Sequence, residues 1–192
     1  MTAALTVKLM GRRKTDHRSD DQLMIAYGRH DRTAFEELYA RYRQPLWGYL
    51  LKNCQDEAAA GEMFQDVWLR VISSSKRYQG KGKFRSWLFT LAHNRLVDFY
   101  RTPPLQCMDD TEEALVVEQP VEGSVGEEER KVQVEELVKK LPFDQRQAFY
   151  LREECGFSVK EIAEIQGVGV EAAKSRLRYA YGNLRESLEE LE

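Results

Sequence analysis

Residues 158–180 read SVKEIAEIQGVGVEAAKSRLRYA, and this stretch predicts two helices joined by a tight turn. Ser158 and Glu161 have the spacing of a capping box, in which each side chain accepts a hydrogen bond from the backbone of the other residue. Gly167 and Gly169 then supply a turn that tolerates left-handed backbone and ends the first helix. A second helix follows within a few residues, so the stretch has the layout of a helix-turn-helix.

The second helix of this motif separates apolar side chains from cationic ones. At about 100° per residue, one stripe contains only alanine and leucine and is expected to be buried: Ala173, Leu177, Ala180, Leu184 and Leu188. The other face carries Glu171, Ser175, Arg178 and Tyr179, with Lys174 and Arg176 on its flanks. Such a face is typical of a recognition helix that enters the major groove of DNA. The alternative is a helical hairpin whose charged face is only solvated.

The composition is that of a soluble globular protein with one or two small domains. The chain has 192 residues, of which 42% are hydrophobic and 32% are charged. No apolar run approaches the roughly 18 residues of a membrane span, and the N-terminus lacks an apolar core with a cleavage site. We therefore expect a cytoplasmic protein without direct membrane insertion. The three cysteines and three histidines are too scattered for a disulfide framework, a metal site or a hydrolytic triad.

An acidic segment divides the chain into two helical blocks. Residues 102–130 contain nine acidic residues and one basic residue, with three prolines, two glycines and no sustained apolar period. The sequence therefore predicts an all-α protein in four parts. These are a basic, disordered N-terminal tail (1–18), a first helical domain (19–101), a flexible acidic linker (102–126) and a second helical domain that contains the helix-turn-helix (127–192).

The first block begins with a short helix, capped by Asp20 or Asp21, that is expected to run through Tyr27. A later helix, predicted over 56–72, has an unusual outer face. Beside its apolar stripe lies a second row of side chains at helical spacing, which mixes acidic, polar, apolar and basic groups: Glu62, Gln65, Asp66, Leu69 and Arg70. This mixture suits a cation-rich partner helix. A plain solvated face is the alternative.

Residues 73–101 interleave basic and aromatic side chains, with almost no acids. Cations neutralise phosphates, and exposed aromatic rings stack on unpaired bases, so this composition favours melted or single-stranded nucleic acid. Most of the apolar residues, such as Trp87, Leu91 and Phe99, are also explained as the buried face of a helix. The basic loop and the polar run His93-Asn94-Arg95 are explained less well in that way.

Five segments together resemble an RNA polymerase sigma factor of the compact extracytoplasmic-function group, which keeps sigma regions 2 and 4. The segments occur in the order and spacing of that family: DRTAFEELYARYRQPLWGYL, EMFQDVWLRV, GKFRSWLFTLAHNRLVDFYR, LPFDQRQAFYLREECGFSVKEIAEIQGV and AKSRLRYA. Each segment alone is weakly specific, but the five together are highly specific. The resemblance covers residues 20–101 and 127–189.

The resemblance implies three sites, which we state as expectations. The face that docks on the coiled coil of the largest polymerase subunit contains Glu62, Gln65, Asp66 and Arg70. The stretch that melts and reads the minus-ten promoter element, where a base is flipped into a pocket, contains Lys83, Arg85, Trp87, His93, Asn94 and Arg95. The helix that reads the minus-thirty-five element contributes Lys174, Ser175, Arg176, Arg178 and Tyr179.

The implied partners are core RNA polymerase, promoter DNA and an anti-sigma protein that holds the free factor inactive. No small-molecule substrate, metal or other cofactor is expected, and no catalytic residue, because the polymerase carries out the chemistry. One rival interpretation is a two-domain helix-turn-helix regulator that acts without core polymerase. A nucleic-acid-processing enzyme is a third, but it needs clustered carboxylates or a histidine site, and the basic stretch supplies neither.

Overall fold

The computed structural model describes residues 17–80, 82–101 and 125–189, and within these ranges the chain forms eight α-helices and no strand. The N-terminal half contains α1 (Asp20–Gly28), α2 (Arg32–Cys54), α3 (Glu57–Ser74), a 3-10 turn (Ser75–Arg77) and α4 (Phe84–Arg101). The C-terminal half contains α5 (Val125–Lys140), α6 (Phe143–Glu153), α7 (Val159–Gln166) and α8 (Val170–Glu189). The predicted all-α fold with two helical domains is confirmed. The predicted tail through residue 16 and the predicted linker from 102 to 124 lie outside the described residues.

The N-terminal half is built around α2, which packs against α1, α3 and α4. Asp31 starts this long helix, since its side chain accepts hydrogen bonds from the backbone N–H groups of Thr33 and Ala34. The helices of this half bury aliphatic side chains at helical spacing, among them Leu38, Leu46, Leu50, Met63, Val67, Leu88 and Leu96. Burial of these side chains is the main stabilising term for this half.

The cap of α1 differs from the prediction. Ser19, not Asp20 or Asp21, caps the helix, and it forms a reciprocal capping box with Gln22. The sequence SDDQ offers three side chains that can cap, and only the position of the first turn decides between them. Because Ser19 takes this task, the two aspartates are free to bind other parts of the fold.

The helix-turn-helix of the C-terminal half matches the sequence prediction. Ser158 and Glu161 form the reciprocal capping box at the start of α7, and Gly167 ends this helix with a φ of 64° in the left-handed region. The predicted apolar stripe of α8 faces inward, with Ala173, Leu177, Ala180 and Leu184 buried. Leu188, also predicted to be buried, is only half-buried because it lies in the last turn of the helix. The opposite face of α8 is therefore left to solvent.

The two halves pack against each other, an arrangement that the sequence left open. Helix α4 contacts α7, and α2 contacts α6. Aromatic rings meet across the junction: the centroids of Phe89 and Phe157 are 5.0 Å apart, and those of Tyr100 and Phe143 are 4.5 Å apart. Among the described helices, none is both long enough and apolar enough to span a membrane.

The glycines Gly28 and Gly48 allow one substitution to be tested in two packing environments. A Cβ atom on Gly28, at the end of α1, would lie 2.6 Å from the carbonyl oxygen of Ser75, whereas a Cβ on Gly48 in α2 would meet no atom within 4 Å. We predict that Gly28→Ala lowers the free energy of unfolding by about 1–3 kcal/mol, because the backbone must shift. Gly48→Ala is predicted to raise it by ~0.5–1 kcal/mol, because alanine restricts the unfolded chain.

Urea unfolding followed by circular dichroism measures both changes. Equal effects of the two substitutions would contradict the close approach of α1 to the 3-10 turn.

Candidate nucleic-acid and protein interfaces

The outer face of α3 is open to solvent. Residues Glu62, Gln65, Asp66, Leu69 and Arg70 are all exposed, and Leu69 retains 61% of its accessible surface. Helix α3 can present this face because Asp56 caps its first turn and its other side is buried against α2 and α4. A singly exposed leucine is common on protein surfaces, so the character of this face depends on what lies beside it.

An aromatic groove adjoins this face, between α2 and α3. Its walls include Tyr39, Arg43, Trp47, Phe64 and Gln65. The rings of Tyr39 and Trp47 each meet the ring of Phe64 edge to face, at centroid distances of 6.2 and 5.8 Å. The groove and the exposed α3 face share Gln65, so they form one continuous surface with apolar floor and polar rim.

The six residues expected to read the minus-ten element do not lie on one face of α4. At about 100° per residue, Lys83, Trp87 and Asn94 fall within one narrow sector. Asn94 is exposed, and Trp87 is half-buried beneath the ring of Tyr78, with centroids 5.4 Å apart. Arg95 points to another side and forms an ion pair of 2.6 Å with Asp66 of α3. Asp66 and Arg95 thus join the α3 face to α4.

The remaining two residues of this set, and Lys83 itself, contact the C-terminal half. The guanidinium of Arg85 stacks over the ring of Phe157, at 4.0 Å from the ring centroid. Lys83 forms an ion pair of 2.8 Å with Glu164 of α7. His93 is 6% exposed and lies beside the C-terminal half. Three cations or potential cations of the predicted minus-ten set are therefore engaged within the chain itself.

His93 is held in its neutral form at the junction. Burial lowers the pKa of its imidazole below the ordinary value of 6.5, and the nearby Arg176 acts in the same direction. Gln147 and Asp144 oppose this shift but do not reverse it. A neutral imidazole in this position cannot pair with a phosphate unless the two halves separate.

Arg146 of α6 binds both halves. Its guanidinium donates to the carbonyl oxygens of Lys139 and Asn53, each at 2.9 Å, and to the hydroxyl of Tyr100 at 3.1 Å. Asn53 lies in the last turn of α2 and Lys139 in the last turn of α5, where carbonyl oxygens have no partner within the helix. One cation therefore caps two helix C-termini, one from each half.

Helix α8 presents its predicted DNA-reading face to solvent. Lys174 and Arg178 are exposed, Ser175 is partly exposed, and Tyr179 retains 54% of its accessible surface. The Arg178 guanidinium lies 5.1 Å from the centroid of the Tyr179 ring. Lys174 forms an ion pair of 2.7 Å with Glu171, whose side chain is highly exposed, so this pair contributes little to stability.

Arg176 has a different environment from the other four residues of this set. It donates to the amide oxygen of Gln166 at 2.9 Å and to the carboxylate of Asp144 at 2.7 Å. These bonds tie α8 to α7 and α6. In this conformation Arg176 supports the helix-turn-helix from within, while its neighbours face outward.

Sequence periodicity did not identify the residues that join the two halves. Phe157, Arg146 and Glu164 each look like an ordinary core, helix-end or surface residue when their own helix is considered alone. Their partners Phe89, Asn53 and Lys83 in the N-terminal half lie 68, 93 and 81 positions away along the chain, and no local pattern encodes such a distance. Among the described residues, no group of three or more His, Cys, Asp or Glu side chains could hold a metal ion.

Two family models match the chain. The model of sigma-70 region 2 matches residues 38–102, and the model of sigma-70 region 4 matches residues 131–184. The first match contains most of the N-terminal half, with the α3 face and α4. The second match contains the helix-turn-helix.

Known proteins resemble the chain over nearly its full length. RNA polymerase sigma factor CarQ of Myxococcus xanthus is 30% identical over 174 residues, which cover 83% of this chain and 91% of that protein. The ECF RNA polymerase sigma factor SigK of Mycobacterium tuberculosis is 27% identical over 176 residues, covering 88% and 93%. Among solved structures, sigma factor RpoE bound to the anti-sigma factor NepR, from Bartonella quintana, shares the fold with a TM-score of 0.66 at 23% identity. That alignment covers 81% of this chain and 96% of RpoE.

The neutral state of His93 predicts a pH dependence. As the pH falls below 6.5, an exposed or unfolded histidine takes up a proton, while His93 in the folded chain stays neutral until the pH passes its lowered pKa. We therefore expect the free energy of unfolding to fall between neutral pH and pH 5.5, and His93→Gln to remove part of this fall. Urea unfolding at pH 7.5 and 5.5 measures the difference, with the exposed His17 changed to Gln as the control. The same pH dependence in both variants would show that His93 is not the source.

Proposed function

Since the chain belongs to the extracytoplasmic-function group of RNA polymerase sigma factors, we propose that it binds core RNA polymerase and directs transcription initiation from specific promoters. Sigma factors are transcription initiation factors. One observation carries the proposal: a single chain combines an exposed partner face on α3 with two separate helices, α4 and α8, that carry nucleic-acid-binding side chains. RNA synthesis remains the chemistry of the polymerase, so the chain needs no catalytic residue or cofactor of its own, and we place it in the cytoplasm.

The α3 face and the aromatic groove form the proposed polymerase site. Gln65 belongs to both, and Glu62, Asp66 and Arg70 surround the exposed Leu69. Carboxylate and amide groups around an apolar centre fit a partner helix that carries cations. The ion pair between Asp66 and Arg95 gives this surface a link to α4, and a competing cation on the polymerase would release Arg95 for DNA.

The proposed minus-ten surface is centred on Lys83, Trp87 and Asn94. Trp87 and Asn94 share one sector of α4, and Lys83 directly precedes this helix. Together they combine a phosphate-binding cation, an aromatic ring and an amide that can read a base edge. Lys83 is available to DNA only when its ion pair with Glu164 opens. Arg85 and His93 lie on other sides of α4 and reach solvent only when the two halves separate. The minus-ten set is thus fully accessible only in a conformation in which the halves have separated.

The proposed minus-thirty-five surface is the outer face of α8. Arg178 and Lys174 can reach guanine edges or phosphates, while Ser175 and Tyr179 add hydroxyl groups. We assign Arg176 a supporting role, because Asp144 and Gln166 already hold its guanidinium. A bidentate contact from arginine to guanine is worth ~1–3 kcal/mol of discrimination.

The contact between the halves fits a free protein that does not read promoters. Two elements at minus ten and minus thirty-five are about 25 base pairs apart, which is ~85 Å of B-form DNA at 3.4 Å per pair. In the free chain, ion pairs and an edge-to-face aromatic pair hold the halves in direct contact. Both elements can therefore be bound together only after this contact opens.

The junction also has the polar character of a surface that opens. Two buried polar atoms there have no hydrogen-bond partner among the described residues: Asn53 Oδ1 and Arg146 Nε. Unpaired buried groups cost free energy, and water or another partner would satisfy them on separation.

Core polymerase is the partner that we propose for opening. An anti-sigma protein, such as the one bound to RpoE, would stabilise the inactive state, and a role in a stress or envelope response would follow from that control.

Transcription with purified core polymerase tests the function. We expect discrete start sites on genomic promoter fragments that depend on this protein. A folded sample that binds core polymerase but yields no new start would contradict the proposal. Tight operator binding without polymerase would instead support the rival helix-turn-helix regulator.

Variants of the two surfaces should separate polymerase binding from promoter reading. Arg178→Ala is expected to reduce discrimination at the minus-thirty-five element about 10-fold, since one base-edge contact is lost, with core affinity unchanged. Gln65→Ala combined with Asp66→Ala is expected to weaken core binding without changing which promoters the residual activity selects. Core binding by fluorescence anisotropy and run-off transcription measure the two effects. Identical failure of both folded variants would contradict the assignment of these surfaces.

A charge reversal at the junction should expose the minus-ten surface. Lys52 pairs with Glu154 at 2.6 Å and with Glu135 at 3.3 Å, both in the C-terminal half. We predict that Lys52→Glu binds a promoter fragment with an unpaired minus-ten segment about three- to tenfold more tightly, without polymerase, because repulsion replaces attraction.

Lys139→Glu is the matched control, because it changes the net charge equally while its partner, Glu136, lies on the same helix. The double variant Lys52→Glu, Glu154→Lys should return toward wild-type affinity. Equal affinities for Lys52→Glu and Lys139→Glu would show that this contact does not restrain the minus-ten surface.

A further inference from the structure

Two adjacent carboxylates in the first turn of α1 bind different parts of the fold. Asp20 pairs with Arg41 at 2.8 Å and accepts a short hydrogen bond from the hydroxyl of Tyr42, so it ties α1 to α2. Asp21 makes neither contact. Its Oδ1 atom accepts from the hydroxyl of Tyr78 at 2.6 Å and from the backbone N–H of Gly82 at 3.1 Å. Asp21 therefore ties α1 to the segment that leads into α4.

The bond to Gly82 fixes the point at which α4 begins. Gly82 has a φ of 70°, and the next residue, Lys83, provides the carbonyl oxygen that accepts from the N–H of Trp87 in the first helical turn. A backbone N–H bound by a carboxylate cannot rotate freely, so the direction in which the chain enters α4 is set by Asp21. Lys83 is the first side chain whose position depends on that direction.

The hydrogen bond from Tyr78 to Asp21 holds the Tyr78 ring against aromatic side chains of α4. The Tyr78 ring packs on Trp87, at a centroid distance of 5.4 Å, and on Phe84, at 6.0 Å. Burial and the hydrogen bond to Asp21 raise the pKa of the Tyr78 hydroxyl, which therefore stays protonated as a donor. Restraining Tyr78 at its hydroxyl end also restrains the half-buried ring of Trp87.

Helix α1 makes a second close contact one turn after Asp21. A Cβ atom on Gly80 would lie 2.6 Å from Cδ1 of Ile25, and Gly80 has a φ of 61°. The segment before α4 thus rests on α1 through a polar contact at Asp21 and an apolar contact at Ile25. Both contacts lie beside the surface that carries Lys83 and Trp87.

We propose that Asp21 is a positioning residue for promoter opening: through Tyr78 and Gly82, it holds Trp87 and Lys83 in the arrangement that engages the minus-ten element. The inference rests on the proposed function. Asp21 lies outside the three predicted sites, and it acts through residues that contact DNA.

Asp20 offers a matched control for this role. Both carboxylates lie in the first turn of α1, so replacing either one removes a similar favourable interaction with the helix dipole. Only Asp21 reaches the segment before α4. Asp21→Ala removes both of its hydrogen bonds, Asp21→Asn keeps a neutral carbonyl acceptor, and Tyr78→Phe removes one of the two donors.

The experiment is the kinetics of open-complex formation by core polymerase with each variant, followed by permanganate reactivity of minus-ten thymines. The concentration dependence separates initial promoter binding from the later opening step. We expect Asp21→Ala to slow the opening step about tenfold, with initial binding and core affinity unchanged, since charge-assisted hydrogen bonds are lost. Asp21→Asn and Tyr78→Phe are expected to be intermediate, and Asp20→Ala to open promoters at the wild-type rate per folded molecule.

Two results would overturn the proposal: wild-type opening by Asp21→Ala, or equal slowing by Asp21→Ala and Asp20→Ala. If Asp21→Ala does not fold, wild-type opening by both Asp21→Asn and Tyr78→Phe overturns it. If the wild-type chain forms no open complex, the proposed function fails. Amide exchange then tests the anchor, because the Gly82 N–H should exchange faster in Asp21→Asn than in Asp20→Asn, and equal exchange would remove the basis of the inference.

Discussion

The Arg146 guanidinium is the interaction on which the arrangement of the two halves depends. It caps the C-terminus of α5 within its own half and the C-terminus of α2 in the other, through the carbonyl oxygens of Lys139 and Asn53. The hydroxyl of Tyr100 completes this contact, since it binds both Arg146 and the same Asn53 oxygen. A buried cation is costly to leave unpaired, but when the halves separate the Arg146 guanidinium becomes exposed to water, which replaces its lost partners. The contact can therefore stabilise the closed arrangement and still open.

This arrangement explains how a chain with a formal net charge of −3 can be a promoter-binding protein. Helices α4 and α8 carry seven of its 29 Lys and Arg residues, and the C-terminal half occupies Arg85 of α4 and the preceding Lys83 while the protein is free. An intramolecular ion pair competes with phosphates for Lys83, and the cation–π contact with Phe157 competes for Arg85. Binding to polymerase would shift this competition toward DNA by separating the halves, which is a change of population rather than a change of fold.

The sequence was sufficient for features that depend on local chemistry. The capping box of Ser158 and Glu161, the left-handed Gly167 and the buried stripe of α8 follow from patterns a few residues long, as does the exposed face of α3. The cap of α1 was predicted wrongly, because three neighbouring side chains could serve and Ser19 does. The burial of His93 and the engagement of Arg176 could not be predicted, because their partners come from distant helices. For the same reason, the sequence gives no sign that Asp21 reaches Gly82.

We infer that the halves are closed in the free chain and separate on core polymerase. Distances between spin labels at the exposed positions Arg32 and Glu186, one in each half, measure this directly, with Cys107 replaced by serine. We expect one narrow, short distance distribution for the free chain. With core polymerase and promoter DNA, we expect a shift toward the ~85 Å that separates the two elements. A broad distribution in the free chain, or an unchanged short distance in the transcribing complex, would contradict this opening of the two halves.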